Sequence, residues 1–144
     1  YHHGNGTQDI FWERGDVFYA SVHADPATDY PFFWGHADET GGGPGEGTTL
    51  NLPLPQGTAL SDFRAAQMQA LEAIRSFNPG LLVVSFGADT FEGDPISHFK
   101  LGTDDYRMLA GDIADAGLPT VIIQEGGYAT DALGANVRSF LSGF

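Results

Sequence analysis

The sequence predicts an α/β fold: a mostly parallel sheet with flanking helices, arranged in three layers. Three observations carry that expectation. Leu81-Leu82-Val83-Val84-Ser85-Phe86 is uncharged and almost wholly apolar, and it is bounded by Pro79-Gly80 and Gly87, as in a strand covered on both faces. Pro119 to Glu125 (PTVIIQE) repeats the pattern and ends at Gly126-Gly127-Tyr128. Segments with apolar residues at helical spacing alternate with these runs, which calls for parallel strands joined by right-handed crossovers.

In chain order, residues 1–15 open on the glycine-punctuated His2-His3-Gly4-Asn5-Gly6 and continue as a short helix. Thr7 is its expected cap and Gly15 its stop. Asp16 to His23 (DVFYASVH) is rich in β-branched and aromatic residues and reads as a strand. Ala24 to Gly47 is a long insertion containing Pro26, Pro31, Pro44 and Gly41-Gly42-Gly43; structureless segments of that length tend to be functional. No Lys-Ser/Thr pair follows the glycines, so they form a surface turn rather than a phosphate loop. The aromatics Tyr30, Phe32, Phe33 and Trp34 are expected to pack part of this insertion down.

Leu50 to Leu54 is extended and closes at Pro53 and Pro55. Leu60, Phe63, Ala70, Leu71, Ile74 and Phe77 then fall at helical spacing, with Ser61-Asp62 near the start and Pro79-Gly80 at the end. After the Leu81 strand, a helix is expected over Asp104–Ala116, capped by Thr103 and stopped by Gly117, and a last one over Asp131–Leu141. No repeat or linker divides the chain, so 1–144 is read as one domain or part of one.

Composition narrows the chemistry. At 144 residues and 42% apolar, the chain can bury a core, and no apolar run approaches a membrane span. Cysteine is absent, which excludes disulfides, thiol catalysis and cysteine zinc sites and leaves histidine and carboxylate as metal donors. The net charge of −13, from 19 acids against 6 bases, disfavours nucleic acid and anionic membranes as partners and would attract a cation. An acid-rich solvated surface is the plainer account of the same number. The opening Tyr1-His2-His3 carries no initiator Met and no leader, and does not look like a natural start. Localisation is unreadable from it, with a cytoplasmic place expected if the source is bacterial.

Three candidate sites fall at strand or loop ends. Asp89 follows the Leu81 strand, where open α/β sheets bind ligands. A turn cap explains it equally well by spacing alone, and the alternating acids of a calcium loop are missing. His2-His3 could be ordinary loop residues, and Gly126-Gly127-Tyr128 a tight turn with a packed aromatic. Together, however, a histidine and an aspartate at strand ends can supply a nitrogen–oxygen metal site, beside a tyrosine able to reach a bound carbonyl. Three protein ligands with an open position is the form of a catalytic zinc site.

Four motifs in this order, His2-His3-Gly4-Asn5-Gly6-Thr7-Gln8, Ser21-Val22-His23, Gly87-Ala88-Asp89-Thr90 with Gly93-Asp94-Pro95, and Glu125-Gly126-Gly127-Tyr128, resemble the histone deacetylase superfamily. The likeness is greatest to its bacterial acetylpolyamine amidohydrolase branch, and it runs the length of the chain. The resemblance implies an arginase–deacetylase type of α/β fold and a catalytic zinc ion (Zn2+) held by His2 and Asp89, with a first zinc aspartate one residue before Tyr1. It implies that Tyr128 hydrogen-bonds the polarised acyl oxygen. Ser21 and the carbonyl of Val22 match a structural potassium or sodium site. Phe11, Arg14, Val17 and Thr48 match a second monovalent site. Tyr30, Ile96 and Gly127 match the lining of the acyl-amine tunnel.

The same resemblance marks 1–144 as the C-terminal portion of a single catalytic domain, without the family's upstream His-His pair for proton transfer. The expected function is zinc-dependent removal of acetyl groups from acetylpolyamine or acetyl-lysine, with the chain inactive alone. A non-catalytic binding or dimerising module is the alternative, and a binuclear manganese hydrolase is disfavoured because no Asp-x-His-x-Asp run is present. The branch and the acidic surface favour a small acetylated polyamine as substrate. Insertion 24–47 could carry an interface between copies.

Overall fold

The structure, a computed structural model, describes residues 1–144. Its elements run α1 (Asn5–Phe11), β1 (Tyr19–Ala24), β2 (Thr49–Leu54), α2 (Leu60–Phe77), β3 (Leu82–Phe86), α3 (Asp105–Ala114), β4 (Thr120–Gln124) and α4 (Thr130–Leu141). Both strand pairings are parallel, as the alternation requires. Tyr19 faces Thr49 through to Ala24 facing Leu54, and Leu82 faces Thr120 through to Phe86 facing Gln124. The strands form two separate two-stranded ladders, β1–β2 and β3–β4, rather than one continuous sheet.

Within residues 1–144 the Leu81 strand is covered on one face only. Leu82, Val84, Phe86 and Ile122 turn to the core, whereas Leu81, Val83, Val121 and Ile123 are about half exposed. The helices of this chain cover one face of that ladder, and a continuous apolar run cannot tell which face has a neighbour. Against the covered face pack Leu71 of α2, Tyr106, Leu109, Ala110 and Ile113 of α3, and Phe140 of α4. Phe86 stacks on Phe140 with centroids 3.9 Å apart and meets Tyr106 edge-on at 5.6 Å. Such ring pairs add to the burial of two large side chains.

Several boundaries shift for local reasons. Helix α1 starts at Asn5, before Thr7, has no side-chain cap, and ends at Phe11, short of Gly15. Strand β1 begins at Tyr19; before it, Asp16 forms a two-pronged pair with Arg14 at 2.7 Å for each bond. Helix α2 stops on Asn78, whose backbone is left-handed (φ 58°) and whose N–H returns to Ile74 and Arg75 carbonyls. Thr103 does not cap α3; its hydroxyl donates to Asn136 Oδ1 of α4 at 2.7 Å, tying the two helices together.

The insertion between β1 and β2 is held by polar anchors rather than by its aromatics. Phe33 is 82% exposed, and Tyr30, Phe32 and Trp34 are also on the surface, against expectation. Asp29 is buried instead, accepting from Tyr1 Oη (2.7 Å), Thr28 Oγ1 (2.7 Å) and Gln56 Nε2 (3.1 Å). Burial works to raise the Asp29 carboxyl, but the three hydrogen bonds outweigh it and hold the group below its ordinary 3.8. A depressed carboxyl stabilises the fold above its unfolded value and ceases to as pH falls through the folded one. The stability difference between wild type and Asp29→Asn, measured by denaturant unfolding, should therefore be constant at neutral pH and shrink below pH 3.8. Phe86→Ala should cost about 3–5 kcal/mol in the same measurement, through lost burial and an unfilled cavity against Phe140.

Candidate active site

Parallel pairing of β3 with β4 brings their carboxyl ends side by side. The register continues past the strands: Glu125 N donates to Phe86 O and Ala88 N to Gly126 O, each at 2.8 Å. A short 3₁₀ turn, Ala88–Thr90, therefore lies against the Gly126-Gly127 segment. Buried Tyr106 fixes that turn from below. Its hydroxyl donates to Ala88 O at 3.1 Å and lies 2.9 Å from Thr90 Oγ1, and burial pushes its pKa up.

Asp89 sits in the turn and is almost fully buried. Its Oδ1 accepts from the Tyr1 nitrogen at 2.8 Å, and its Oδ2 lies 3.1 Å from His2 Nδ1. Burial tends to raise the Asp89 carboxyl, but the His2 contact works against it and holds the group below its ordinary value. The turn-cap account of Asp89 is thereby displaced, since both oxygens are directed at the amino-terminal stretch. His2 is partly exposed, edge-on to Tyr1 at 5.0 Å and to Tyr30 at 6.0 Å between centroids.

Tyr128 completes the cluster. A Cβ on Gly126 would come within 2.9 Å of Asp89 Oδ2 and 3.3 Å of the Tyr128 ring, so only glycine lets the carboxylate and the ring approach. Gly127 adopts φ +142°, and a Cβ there would meet Leu133 and Ala88. Tyr128 itself is half exposed. His2, Asp89, Tyr30, Gly127 and Tyr128 thus gather at one end of the β3–β4 ladder. Ile96, also half exposed, joins through its loop, its N–H donating to Asp94 Oδ1 at 3.0 Å.

The remaining sequence candidates lie apart. Ser21 and Val22 are consecutive in β1, opposite Asn51 and Leu52. Ser21 Oγ pairs with His23 Nδ1 at 2.8 Å, while His23 Nε2 donates to Gly35 O at 2.8 Å. Burial drives His23 down to about 4, so the ring is neutral. Of the residues assigned to a second monovalent site, three are linked. Arg14 N donates to Phe11 O at 2.9 Å, and Thr48 Oγ1 donates to Arg14 O at 3.3 Å. Val17 lies three residues after Arg14 with no hydrogen bond to them.

An imidazole beside a carboxylate is a donor pair suited to zinc. The Asp89–His2 pair fits in kind and falls one short in number, since no three His, Asp or Glu side chains converge anywhere in the chain. A backbone atom, the Tyr1 nitrogen, occupies the remaining side of Asp89.

The histone deacetylase domain, as a family model, matches residues 1–144. The chain belongs to the histone deacetylase family. It is 51% identical over 143 residues to the acetylpolyamine amidohydrolase of Mycoplana ramosa, covering 99% of this chain and 42% of that protein. To acetylpolyamine amidohydrolase 1 of Pseudomonas aeruginosa it is 49% identical over 144 residues, again covering 42% of the relative. The crystal structure of acetylpolyamine aminohydrolase from Burkholderia pseudomallei matches with a TM-score of 0.97 at 45% identity, over 99% of this chain and 42% of that one. The chain therefore spans less than half the length of these relatives. Its parallel strands and flanking helices are the deacetylase architecture over the part it covers.

Within this deacetylase framework, sequence reasoning missed several residues that build the site. Tyr106 has no signal beyond a place in a helix. Asp94 appeared only as part of a turn motif, although its carboxylate reaches the Tyr128 backbone, 34 residues away. A buried network of His3, Gln8, Asn51 and Glu39 joins α1, β2 and the insertion. His3 Nε2 donates to Gln8 Oε1 (3.0 Å) and Asn51 Oδ1 (3.1 Å), and Gln8 Nε2 donates to Glu39 Oε2 (2.6 Å). Gly127→Ala should lower stability by about 1–3 kcal/mol in thermal denaturation, because its φ and both near contacts oppose a side chain.

Proposed function

We propose that the chain forms part of the catalytic domain of a zinc-dependent hydrolase that removes acetyl groups from acetylated amines. The observation that carries this is the Asp89–His2 pair lying beside Tyr128 at the carboxyl ends of β3 and β4. His2 and Asp89 would hold the zinc, with a third donor entering from a residue before Tyr1, whose nitrogen already abuts Asp89. When bound, zinc supplies Lewis acidity toward an amide carbonyl and makes water acidic enough to act near neutral pH.

The chain's own residues do the rest. Asp89, held by His2 below the ordinary carboxylate value, is ionised near neutral pH and so stays a carboxylate donor. The Tyr128 phenol donates a hydrogen bond to the acyl oxygen as negative charge develops there. Tyr30, Ile96 and Gly127 line the approach and admit a slim acylated amine. Ser21 and Val22, and the group Phe11, Arg14, Val17 and Thr48, would bind potassium or sodium ions that stiffen the strands behind the site. The −13 net charge and the names of the relatives favour an acetylated polyamine over acetyl-lysine in a protein. Residues 1–144 hold no tandem histidines besides His2-His3, so proton transfer needs a group from elsewhere in the domain, and these residues alone should not turn over.

The test is hydrolysis of an acetylated diamine and an acetyl-lysine peptide by the full gene product, before and after dialysis against a chelator. Activity should vanish with the metal and return with zinc. Tyr128→Phe should lower kcat by about 100- to 1,000-fold. Asp89→Ala should abolish zinc binding in calorimetry. Hydrolysis indifferent to the chelator and to Tyr128→Phe would overturn the proposal.

A further inference from the structure

Two consecutive glycines precede Tyr128, and glycine backbones do not fix their own direction. Something else must set where the phenol points. Asp94 supplies it. The residue is 6% exposed, and its Oδ2 accepts from Tyr128 N at 2.7 Å and from Ala129 N at 3.3 Å. Its Oδ1 is committed to Ile96 N, within its own loop, at 3.0 Å.

That loop is itself firmly placed. Asp94 N donates to Phe91 O at 3.0 Å, Glu92 N donates to Leu101 O at 2.9 Å, and Leu101 is fully buried in the core. Ala129 is the residue that opens α4, and no side chain from its own segment caps that helix. The Asp94 carboxylate takes the place of the missing cap from another part of the chain. A negative charge is favoured at a helix amino terminus, where free N–H groups point outward. One carboxylate thereby ties the loop carrying Ile96, the start of α4 and the backbone of Tyr128 into a unit. No hydrogen bond joins it to His2 or Asp89, so its effect reaches the chemistry through the Tyr128 backbone, with the Ile96 loop as the one other element it holds.

We propose that Asp94 is a positioning residue for the reaction: its carboxylate clamps the Tyr128 backbone and so sets the reach of the phenol. The inference rests on the reading of Tyr128 as the donor to the acyl oxygen. A cap that served stability alone would lower the melting temperature and leave the kinetics of the folded enzyme unchanged.

The experiment compares wild type, Asp94→Asn, Asp94→Ala, Tyr128→Phe and the Asp94→Asn/Tyr128→Phe double variant in the full gene product. Asparagine keeps the shape but presents an amide N–H toward one of the donors, so at least one of the clamping bonds is lost. Hydrogen exchange at the Tyr128 and Ala129 amides should quicken by about tenfold or more in Asp94→Asn, with other amides of the core still protected. On an acetylated diamine, kcat should fall by about 10- to 100-fold while KM stays within about twofold. In the Tyr128→Phe background the Asp94 substitution should bring no further loss, because the group it positions has gone.

Unchanged exchange at Tyr128 and Ala129, or losses that multiply in the double variant, would overturn the assignment. If Asp94→Ala does not fold, Asp94→Asn decides the matter by the same readouts. If wild type fails to hydrolyse acetylated amines, the proposed function falls, while the exchange data still decide whether Asp94 clamps Tyr128.

Discussion

A buried carboxylate is costly unless each oxygen finds a donor, and Asp89 meets that condition with partners from the opposite end of the chain. Its two oxygens take the Tyr1 nitrogen and face the His2 ring, across 88 and 87 residues of sequence. This contact joins others that dock the stretch: Ala24 N donates to Tyr1 O at 2.8 Å, Tyr1 Oη donates to Asp29 at 2.7 Å, and the Tyr1 ring packs on Phe99 at 4.7 Å. The Ala88–Thr90 turn cannot drift either, because Tyr106 grips it from inside the core.

The two ladders serve different purposes. β3–β4 is covered by an apolar cluster, and its carboxyl ends carry Asp89 and Tyr128. β1–β2 carries buried polar residues, His23 and Asn51, and packs beside two more, His3 and Gln8. Buried polar groups add little net stability when paired, but they exclude arrangements that would leave them unpaired. His3 meets the demand at one ring nitrogen only. With Nε2 donating to two oxygens, its Nδ1 is buried without a partner, and burial keeps the ring's pKa below its ordinary value. The network also holds Gly35 in place through Glu39, whose Oε2 accepts from the Gly35 N–H at 2.8 Å. The exposed aromatics from Tyr30 to Trp34 thus hang from a rigid polar base.

Much of this was legible in the sequence. Strand and helix positions came within a few residues, because period and punctuation are local properties of the chain. Where boundaries slipped, a side chain had found a distant partner: Thr103 turned to Asn136 instead of capping α3. The candidate site was legible through motifs rather than through geometry, and so His2, Asp89 and Tyr128 could be named while Tyr106 could not. The aromatic insertion misled for a related reason. Composition reports that Phe33 is apolar, but only the fold decides whether anything lies over it.

The sequence by itself determined the α/β class, the parallel pairing and the family, because alternation of elements and the order of short motifs survive without coordinates. Tertiary structure alone decided which face of β3–β4 is covered, and that Asp89 is a docking point rather than a cap. It also decided that Asp94 reaches across to the Tyr128 backbone. Those outcomes depend on contacts between residues far apart in the chain, and no local pattern of hydrophobicity or propensity encodes a distance.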